Sequence, residues 1–297
     1  MSGELLYLNG TYMPLADGRV SIEDRGFQLG DGVYEVVNVV NGRALWLDEH
    51  MQRLERSLAA IKLAGASIGH RLGEVIPELV LRSGVQQGAV YVQVTRGVYP
   101  REFELPADPV PTVLAYTRNV SGPSAEAIQA GEALHPVADP RWAHCDIKAI
   151  DLLAAVLAKE EARAAGAQEV AFVGPDGMVR EGGSSNVFSV IDGVLRTHPA
   201  NERILDGITR GQVLLLAREA GCQVEERAFT LAEITSAGDS KCEVFIASTL
   251  KGIMPVVRVG THVVGDGHPG PVTLALLDLF RRKVALLGGL EMPPASS

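Results

Sequence analysis

The sequence has few of the features that mark several common protein classes. Its 297 residues include only three cysteines, Cys145, Cys222 and Cys242, which are too few and too far apart for a disulfide framework or a zinc motif. A reducing, cytoplasmic setting is therefore expected. No apolar run approaches the ~20 residues of a membrane span, and the N-terminus lacks the charged and apolar regions of a signal peptide. We expect neither a membrane nor export.

Positive charge and metal-binding motifs are also scarce. Lys and Arg together number 27 against 36 Asp and Glu, a formal net charge of −9. An acidic chain without a basic block argues against nucleic acid as a partner. The seven histidines are scattered, and no paired Cys-x-x-Cys, H-E-x-x-H or EF-hand loop is present. We therefore predict no metal site.

The hydrophobic pattern predicts a mixture of helices and strands. Asn9-Gly10 predicts a hairpin between two short strands, and apolar spacing predicts a helix capped by Asp48. A segment rich in Ser, Pro, Gly and Ala begins at Ser121 and predicts a linker. We predict an α+β protein with a smaller N-terminal α/β domain over residues 1–120, an interdomain linker over 121–130 and a larger C-terminal domain over 131–297.

Lysine is the most informative residue type, because the chain has only six. Lys148 and Lys251 lie among apolar neighbours, whereas the other lysines lie in polar surroundings or near helix ends. Keeping an amine charged among apolar groups is costly, so such a lysine becomes a nucleophile suited to Schiff-base chemistry. A half-buried structural lysine is an equally good interpretation of Lys148 from this pattern alone.

Two further segments favour a phosphorylated ligand. The stretch from Asp206 to Arg210 opens a predicted helix, where free N–H groups attract anions. Ser248 and Thr249 follow an apolar strand and offer two hydroxyls. Glu181 begins a run of small polar residues that ends at Asn186. Each segment is also compatible with an ordinary cap or turn.

Together, eight segments resemble one family. They are Glu23–Glu35, Glu49–Leu54, Gln93–Arg101, Arg141–Lys148, Glu181–Phe188, His198–Asn201, Ile204–Arg210 and Phe245–Thr249. In order and spacing they are similar to the fold-type IV, or class IV, pyridoxal-phosphate (PLP) aminotransferases, and within these to the D-amino acid transaminases. The resemblance spans nearly the whole chain and implies the two-domain fold of that family.

The resemblance implies a role for each matching residue. Lys148 would form the internal aldimine with PLP and then move the substrate proton. Glu181 would lie beside the pyridine nitrogen, and Leu205 would pack against the ring. Tyr34 and Arg101 would hold the substrate carboxylate, for which the planar fork of arginine is suited. The residues that match the phosphate-binding groups are Arg53, Ile208, Thr209, Ser248 and Thr249. The family also implies a homodimer with the active site near its interface.

Three positions depart from the family pattern. D-amino acid transaminases usually carry Pro-Arg-x-His, but here Phe103 replaces the histidine. Arg180 stands where a small hydroxyl residue is more usual. Leu250 stands where another hydroxyl residue is expected, and Lys251 follows it. We hypothesise that Arg180 or Lys251 supplies the cation that Phe103 cannot. The alternative is that both cations face solvent.

The resemblance implies transfer of an amino group from a D-amino acid, such as D-alanine, to 2-oxoglutarate or pyruvate. Three alternatives share the fold: a branched-chain L-amino acid aminotransferase, an (R)-amine transaminase and an aminodeoxychorismate lyase. The pair Pro100-Arg101 favours D-amino acids over the first two, and Phe103 weakens that preference. A PLP-binding protein without turnover is a further alternative, although binding alone does not require both Lys148 and Glu181.

Overall fold

The computed structural model describes residues 4–63, 68–235 and 242–291. Within these ranges the chain forms two compact units. The first comprises residues of Met1–Ser121, Ile147–Asp151 and Val284–Met292, and the second those of Gly122–Asp146 and Leu152–Lys283. The segments 147–151 and 284–292 fall inside the range assigned from sequence to the C-terminal domain, so the units and the predicted domains differ there.

The first unit contains a six-stranded antiparallel sheet with the strand order β2-β1-β6-β5-β3-β4. A short helix precedes the third strand, and two longer helices lie between the fourth and fifth. In chain order the elements are β1 (Leu5–Leu8), β2 (Thr11–Pro14), α1 (Arg25–Leu29), β3 (Gly32–Val40), β4 (Arg43–Ala44), α2 (Leu47–Ala60), α3 (Ile68–Ser83), β5 (Gln87–Thr95) and β6 (Thr112–Asn119).

Apolar side chains of the sheet and of α2 and α3 form the core of this unit. On β3, every second residue from Val33 to Val39 is buried, as expected for a strand with one face on a core. On α2, buried residues recur at helical spacing and include Leu54 and Leu58. Glu35 occupies one of the buried β3 positions, so the core contains a carboxylate.

The second unit contains an eight-stranded mixed sheet. Its order is β11-β10-β9-β12-β13-β7-β8, and β14 pairs with β13. Three pairs are parallel: β10 with β11, β13 with β7, and β7 with β8. The elements are α4 (Ala125–Ala130), β7 (Glu132–Ala138), α5 (Leu153–Ala164), β8 (Glu169–Val173), β9 (Asn186–Ile191), β10 (Val194–Thr197), α6 (Ile208–Glu219), β11 (Gln223–Glu225), α7 (Leu231–Thr235), β12 (Glu243–Ser248), β13 (Gly252–Val259), β14 (His262–Val263) and α8 (Pro271–Gly288). The residues of α8 from Val284 on belong to the first unit.

Several local expectations hold and others fail. The hairpin predicted around Asn9-Gly10 is present between β1 and β2, and both turn residues have positive φ. The cap predicted at Asp48 is wrong, because α2 begins at Leu47 after Trp46, which has a left-handed backbone and makes no side-chain cap. The segment predicted as linker contains α4, which Ser124 caps by accepting a hydrogen bond from the N–H of Ala127.

No helix in the described ranges has both the length and the apolar character needed to cross a bilayer.

The core position of Leu54 gives a test of the first unit. The Leu54 side chain is fully buried, so Leu54→Ala is expected to lower the free energy of unfolding by about 2–5 kcal/mol through lost burial and a residual cavity. Thermal unfolding followed by circular dichroism measures this as a lower Tm. The matched change Leu81→Ala, at an exposed position of α3, should leave Tm unchanged. Equal Tm losses in both variants would contradict the described core.

Candidate active site

Backbone hydrogen bonds attach Lys148 to the first unit, beside the start of β3. Its carbonyl accepts from the N–H of Tyr34 at 2.9 Å, and its own N–H donates to Ser57 Oγ at 3.3 Å. Two residues after Lys148, the backbone N–H of Ile150 donates to the carbonyl of Gly32 at 3.1 Å. Lys148 Nζ lies 4.2 Å from the centroid of the Tyr34 ring, a cation–π distance. Two residues predicted as site residues therefore meet.

A buried polar cluster joins β3 to α2 close to this lysine. Arg53 Nε and Nη2 donate to the two carboxylate oxygens of Glu35 at 2.7 and 2.8 Å. His50 Nδ1 lies 2.7 Å from Glu35 Oε2, so Nδ1 carries the proton, because an ionised carboxylate only accepts. Arg53, a predicted phosphate-binding residue, thus has a fixed orientation.

Charge balance explains why this cluster is stable. Burial by itself raises the pKa of Glu35, but the charge and hydrogen bonds of Arg53, with the hydrogen bond from His50, lower it to about 2. Burial also lowers the pKa of His50 despite the nearby carboxylate. The cluster is therefore an ionised Glu35–Arg53 pair with a neutral histidine at neutral pH.

Arg101 lies in an exposed loop between β5 and β6. Phe103, two residues on, has 84% of its surface exposed, and residues 101–105 are all exposed. The hydroxyl of Tyr99 donates to the carbonyl of Asp108 and accepts from the N–H of Val110, both at 2.9 Å. These two hydrogen bonds restrain the end of the loop that precedes β6. Tyr34, the other predicted carboxylate-binding residue, is half-buried on β3.

Glu181 lies in the second unit, where its buried carboxylate receives several donors. Arg141 Nη1 lies 2.5 Å from Oε1, while Asn186 Nδ2 and the backbone N–H of Leu205 donate to Oε2 at 3.2 and 3.0 Å. Arg141 also pairs with Asp139 at 2.9 Å. Burial by itself lowers the pKa of Arg141. The hydrogen bond with Asp139 and the charge of Glu181 outweigh burial and raise the pKa above its usual value, so Arg141 stays charged. Glu181 thus has a fixed counter-ion.

Asn186 connects Glu181 to the start of α6. Besides contacting Glu181, its Nδ2 donates to the carbonyl of Leu205 at 2.8 Å. Gly207 precedes α6 and gives it no side-chain cap. A Cβ atom at position 207 would lie 2.1 Å from Asn186 Oδ1, so only glycine allows this approach. Ile208 and Thr209 follow, in the first turn of the helix, where N–H groups lack intrahelical acceptors.

Strand register brings the remaining predicted phosphate-binding residues to the same region. β12 runs antiparallel to β9, and Ala247 pairs with Asn186. Ser248 and Thr249 come directly after Ala247 and are half-buried. Within the second unit, Glu181, Leu205, Ile208, Thr209, Ser248 and Thr249 are therefore grouped around Asn186.

A second buried carboxylate holds the loop that carries Glu181. Glu169 Oε1 accepts from the N–H of Gly183 at 3.1 Å, and its Oε2 accepts from the hydroxyls of Ser184 and Ser185 at 3.1 and 3.3 Å. Lys159 Nζ lies 3.2 Å from the same oxygen. Glu169 therefore keeps the loop between β8 and β9 in one conformation.

Both cations that depart from the family pattern lie against acidic groups. Arg180 is buried, donates to Asp176 at 2.7 Å and donates to His198 Nε2 at 2.8 Å. Lys251 Nζ donates to both carboxylate oxygens of Glu132 at 2.6 and 2.8 Å. Arg180 is buried, whereas 33% of the Lys251 side chain is exposed, so the alternative that both cations face solvent is wrong for Arg180.

Cys145 lies three residues before Lys148 in the chain, but its thiol is not activated. It donates to the carbonyl of Trp142 at 3.3 Å. Burial raises the pKa of this thiol to about 11, although the charge of Arg141 opposes the shift. A thiol with so high a pKa is a poor nucleophile at neutral pH.

Comparison with known proteins identifies the class. The family model described as amino-transferase class IV matches residues 32–259. The chain is 42% identical to the D-alanine aminotransferase of Bacillus licheniformis over 265 residues, covering 89% of this chain and 92% of the relative. It is 36% identical to the D-alanine aminotransferase of Staphylococcus haemolyticus over 280 residues, covering 94% and 97%. The chain belongs to the class IV aminotransferases.

Solved structures agree with this assignment. The branched-chain amino acid aminotransferase of Escherichia coli has a TM-score of 0.87 and 25% identity, with 99% of this chain and 97% of that chain covered. The 4-amino-4-deoxychorismate lyase of Pseudomonas aeruginosa has a TM-score of 0.79 and 26% identity, with 93% and 98% covered. The predicted α+β fold of the type IV enzymes is therefore confirmed, as are the predicted enzyme class, a PLP-dependent aminotransferase, and its cofactor.

Several residues that hold this site were not found from sequence. The sequence patterns assign no role to Glu35, Asn186 or Glu169, and they include Arg141 only as part of a matching segment. A charged residue inside an otherwise apolar strand, as Glu35 is in β3, was a usable signal, because a buried charge requires a partner. The identity of that partner, 18 residues away on α2, could not be read from the pattern.

The pKa of Glu35 predicts how stability depends on pH. A glutamate titrates near 4.5 when unfolded, whereas Glu35 titrates at about 2 in the folded protein. Its contribution is therefore complete above pH 4.5 and is lost as the pH falls towards 2. Glu35→Gln should lower the free energy of unfolding by about 3–5 kcal/mol at pH 7, because Arg53 is left buried without its counter-ion. The difference between variant and wild type should shrink between pH 4.5 and 2.

Urea unfolding at a series of pH values measures this difference. Glu78→Gln is the control, because Glu78 forms an exposed pair with Arg82, and exposed pairs contribute little. A Glu35→Gln effect that is small, or that is independent of pH, would show that the Glu35–Arg53 pair does not stabilise the fold.

Proposed function

We propose that this protein is a transaminase that moves the amino group of a D-amino acid, such as D-alanine, to a 2-oxo acid, either 2-oxoglutarate or pyruvate. The observation that carries the proposal is 42% and 36% identity, over nearly the whole chain, to two D-alanine aminotransferases. The similar branched-chain aminotransferase and lyase structures are only 25% and 26% identical. Branched-chain aminotransferase and lyase activities are therefore the alternatives, and a lower sequence identity supports them.

The side chains present fit PLP. The second unit offers a buried carboxylate at Glu181 and a helix start without a side-chain cap, and the first offers the amine of Lys148 over the Tyr34 ring. We assign the phosphate to Arg53, Ser248, Thr249 and the N–H groups of Ile208 and Thr209. We assign the ring face to Leu205 and the ring nitrogen to Glu181. When bound, PLP supplies an electron sink for bond breaking at the substrate Cα.

The protein's own groups then perform the proton transfer. Lys148 Nζ moves a proton between the substrate Cα and the cofactor C4′ within each half-reaction, in opposite directions in the two halves. Glu181 keeps a negative charge near the ring nitrogen, and Arg141 holds that carboxylate in place. Tyr34 and Arg101 bind the α-carboxylate that donor and acceptor share, because a guanidinium binds a carboxylate with two parallel hydrogen bonds.

We propose that Arg180 or Lys251 supplies the cation lost with the family histidine. The support is chemical, since Phe103 has no donor and both residues are charged. Each is already bound to a carboxylate, Asp176 or Glu132. To bind substrate as well, the cation must contact this carboxylate and the substrate carboxylate at the same time.

We further propose that the protein is a homodimer that works in the cytoplasm, where its three free cysteines stay reduced. The support for the dimer is an apolar stripe on α5 formed by Leu153, Val156 and Leu157, whose exposed fractions are 70%, 59% and 63%. These positions are spaced three and four apart and share one helix face. Contiguous exposed apolar surface of this kind marks an interaction site, and a second copy of the chain is the partner that the family implies.

The hand of the product tests the proposed activity. With D-alanine and 2-oxoglutarate as substrates, the protein should form pyruvate and D-glutamate, which chiral chromatography separates from L-glutamate. Lys148→Ala is expected to abolish turnover because no amine remains to move the Cα proton. Formation of L-glutamate, or of more than one equivalent of pyruvate per subunit in the absence of 2-oxoglutarate, would favour a different member of the fold.

Kinetics of two variants test the proposed cations. If either residue binds substrate, Arg180→Ala or Lys251→Ala should raise the KM for D-alanine by roughly tenfold, the order of one charge-assisted hydrogen bond. Arg163→Ala, which breaks an exposed pair with Glu160, is the control. An unchanged KM in both variants would refute this role.

Sedimentation tests the dimer. Leu157→Asp places a charge in the α5 stripe and should shift the protein from dimer to monomer. Leu81→Asp, at an isolated exposed position of α3, should not. A wild type that sediments as a monomer would refute the proposal.

A further inference from the structure

The exposed loop that carries Arg101 is held by a buried arginine, Arg25. Arg25 Nη1 donates to the carbonyls of Glu102 and Glu104 at 2.6 and 3.3 Å. These carbonyls flank Phe103, and the first directly follows Arg101. Because side chains 101–105 are all exposed, they supply little packing to hold the loop, and hydrogen bonds from the charged guanidinium are the stronger kind of restraint.

Arg25 is itself fixed in the structure. Its Nε donates to Asp31 Oδ2 at 2.8 Å, and Arg96 binds the same carboxylate through Nε and Nη2 at 2.8 and 3.0 Å. Although burial raises the pKa of Asp31, the hydrogen bonds and charges of the two arginines lower it, so the carboxylate is ionised at neutral pH. Asp24 caps α1 by accepting from the N–H of Gly26 at 2.8 Å. The guanidinium of Arg25 therefore cannot move without breaking a buried ion pair.

The base of the loop is constrained as well. The N–H of Arg25 donates to the carbonyl of Gly97 at 2.9 Å. Gly97 has a φ of +94°, and a Cβ atom there would lie 1.9 Å from the carbonyl oxygen of Val110. The two ends of the loop thus meet closely at a glycine, while Arg25 holds its middle.

We propose that Arg25 is a positioning residue for substrate binding: it orders the loop of residues 100–105 so that Arg101 can bind the substrate α-carboxylate. The inference rests on the role proposed above for Arg101. Two parallel hydrogen bonds to a carboxylate require a well-placed guanidinium, and a displacement of about 1 Å can cost as much as a hundredfold in rate. The side chain of Arg25 bonds to Asp31 and to the loop carbonyls of Glu102 and Glu104, and not to Lys148 or to the residues assigned to the phosphate.

Arg25→Met and Arg25→Lys test this role. Both remove the hydrogen bonds to the loop, and Arg25→Lys keeps the positive charge beside Asp31. Each should raise the KM for D-alanine and for 2-oxoglutarate in parallel, by roughly tenfold or more, because both substrates present an α-carboxylate. The dissociation constant for PLP, the visible absorbance of bound PLP and the sedimentation coefficient should not change. A general loss of folding would alter all of these together.

A double-mutant cycle with Arg101→Ala separates positioning from a structural effect. If Arg25 acts through Arg101, Arg25→Lys should change KM by less than about twofold in the Arg101→Ala background, because coupled residues do not act additively. Arg19→Met is the matched control, since Arg19 donates to the carbonyls of Ala16 and Gly18, both at 2.8 Å, in another exposed loop. It should leave KM unchanged.

The outcomes distinguish the two claims. An active wild type in which Arg101→Ala raises KM but the Arg25 variants do not, or in which the two effects multiply, would overturn the role of Arg25 and leave the proposed function intact. A wild type without transaminase activity, or an Arg101→Ala variant with normal KM, would overturn the proposed role of Arg101 and this inference with it.

Discussion

Carboxylates that are buried or half-buried lie against arginines in both units, and the placement of the functional side chains depends on these pairs. In the first unit Glu35 is bound by Arg53, and Asp31 is bound by Arg25 and Arg96. In the second, Glu181 is bound by Arg141. A carboxylate transferred alone into a protein interior is strongly destabilised, so each pair requires the elements that carry its two members to meet in one arrangement. The ion pairs therefore fix the positions of the elements that carry them.

In the first unit, the pairs fix the residues on either side of β3. Glu35 is tied to α2, which orients Arg53, and its neighbour Tyr34 shares a backbone hydrogen bond with Lys148. Arg96 also donates to the carbonyls of Ile61 and Lys62 at the end of α2. One network of charges therefore links the helix that carries Arg53 to the strand that carries Tyr34.

In the second unit, the same principle applies to Glu181. Arg141 and Asn186 hold its carboxylate, and Glu169 holds the loop behind it. A carboxylate with both position and charge fixed is preorganised, so it needs no rearrangement when charge develops nearby. This geometry is suited to a cofactor whose ring nitrogen must stay positively charged.

Sequence patterns predicted the local features well. The Asn9-Gly10 hairpin and the start of α6 at Ile208 depend on neighbouring residues alone. Helix α1 was missed because its five residues are too short for a periodic signal. The cap at Asp48 failed because Trp46 has a left-handed backbone instead.

Long-range partners were beyond this kind of prediction. Arg141 and Glu181 are 40 residues apart, and Arg96 and Asp31 are 65 apart. Nothing in a local pattern pairs them, because the pairing follows from strand order and register. The family resemblance implied roles for Lys148 and Glu181, and these roles stay predictions. It did not supply the residues that hold them in place.

The visible absorption spectrum of the purified holoenzyme tests the central claim most directly, when recorded before and after addition of D-alanine, with L-leucine as the comparison. We expect a yellow protein whose band is bleached by D-alanine and not by L-leucine, because Lys148, PLP and selectivity for the D-enantiomer must all be present. Bleaching by L-leucine alone would contradict the assignment of substrate. A protein that stays colourless with added PLP would contradict the assignment of the cofactor.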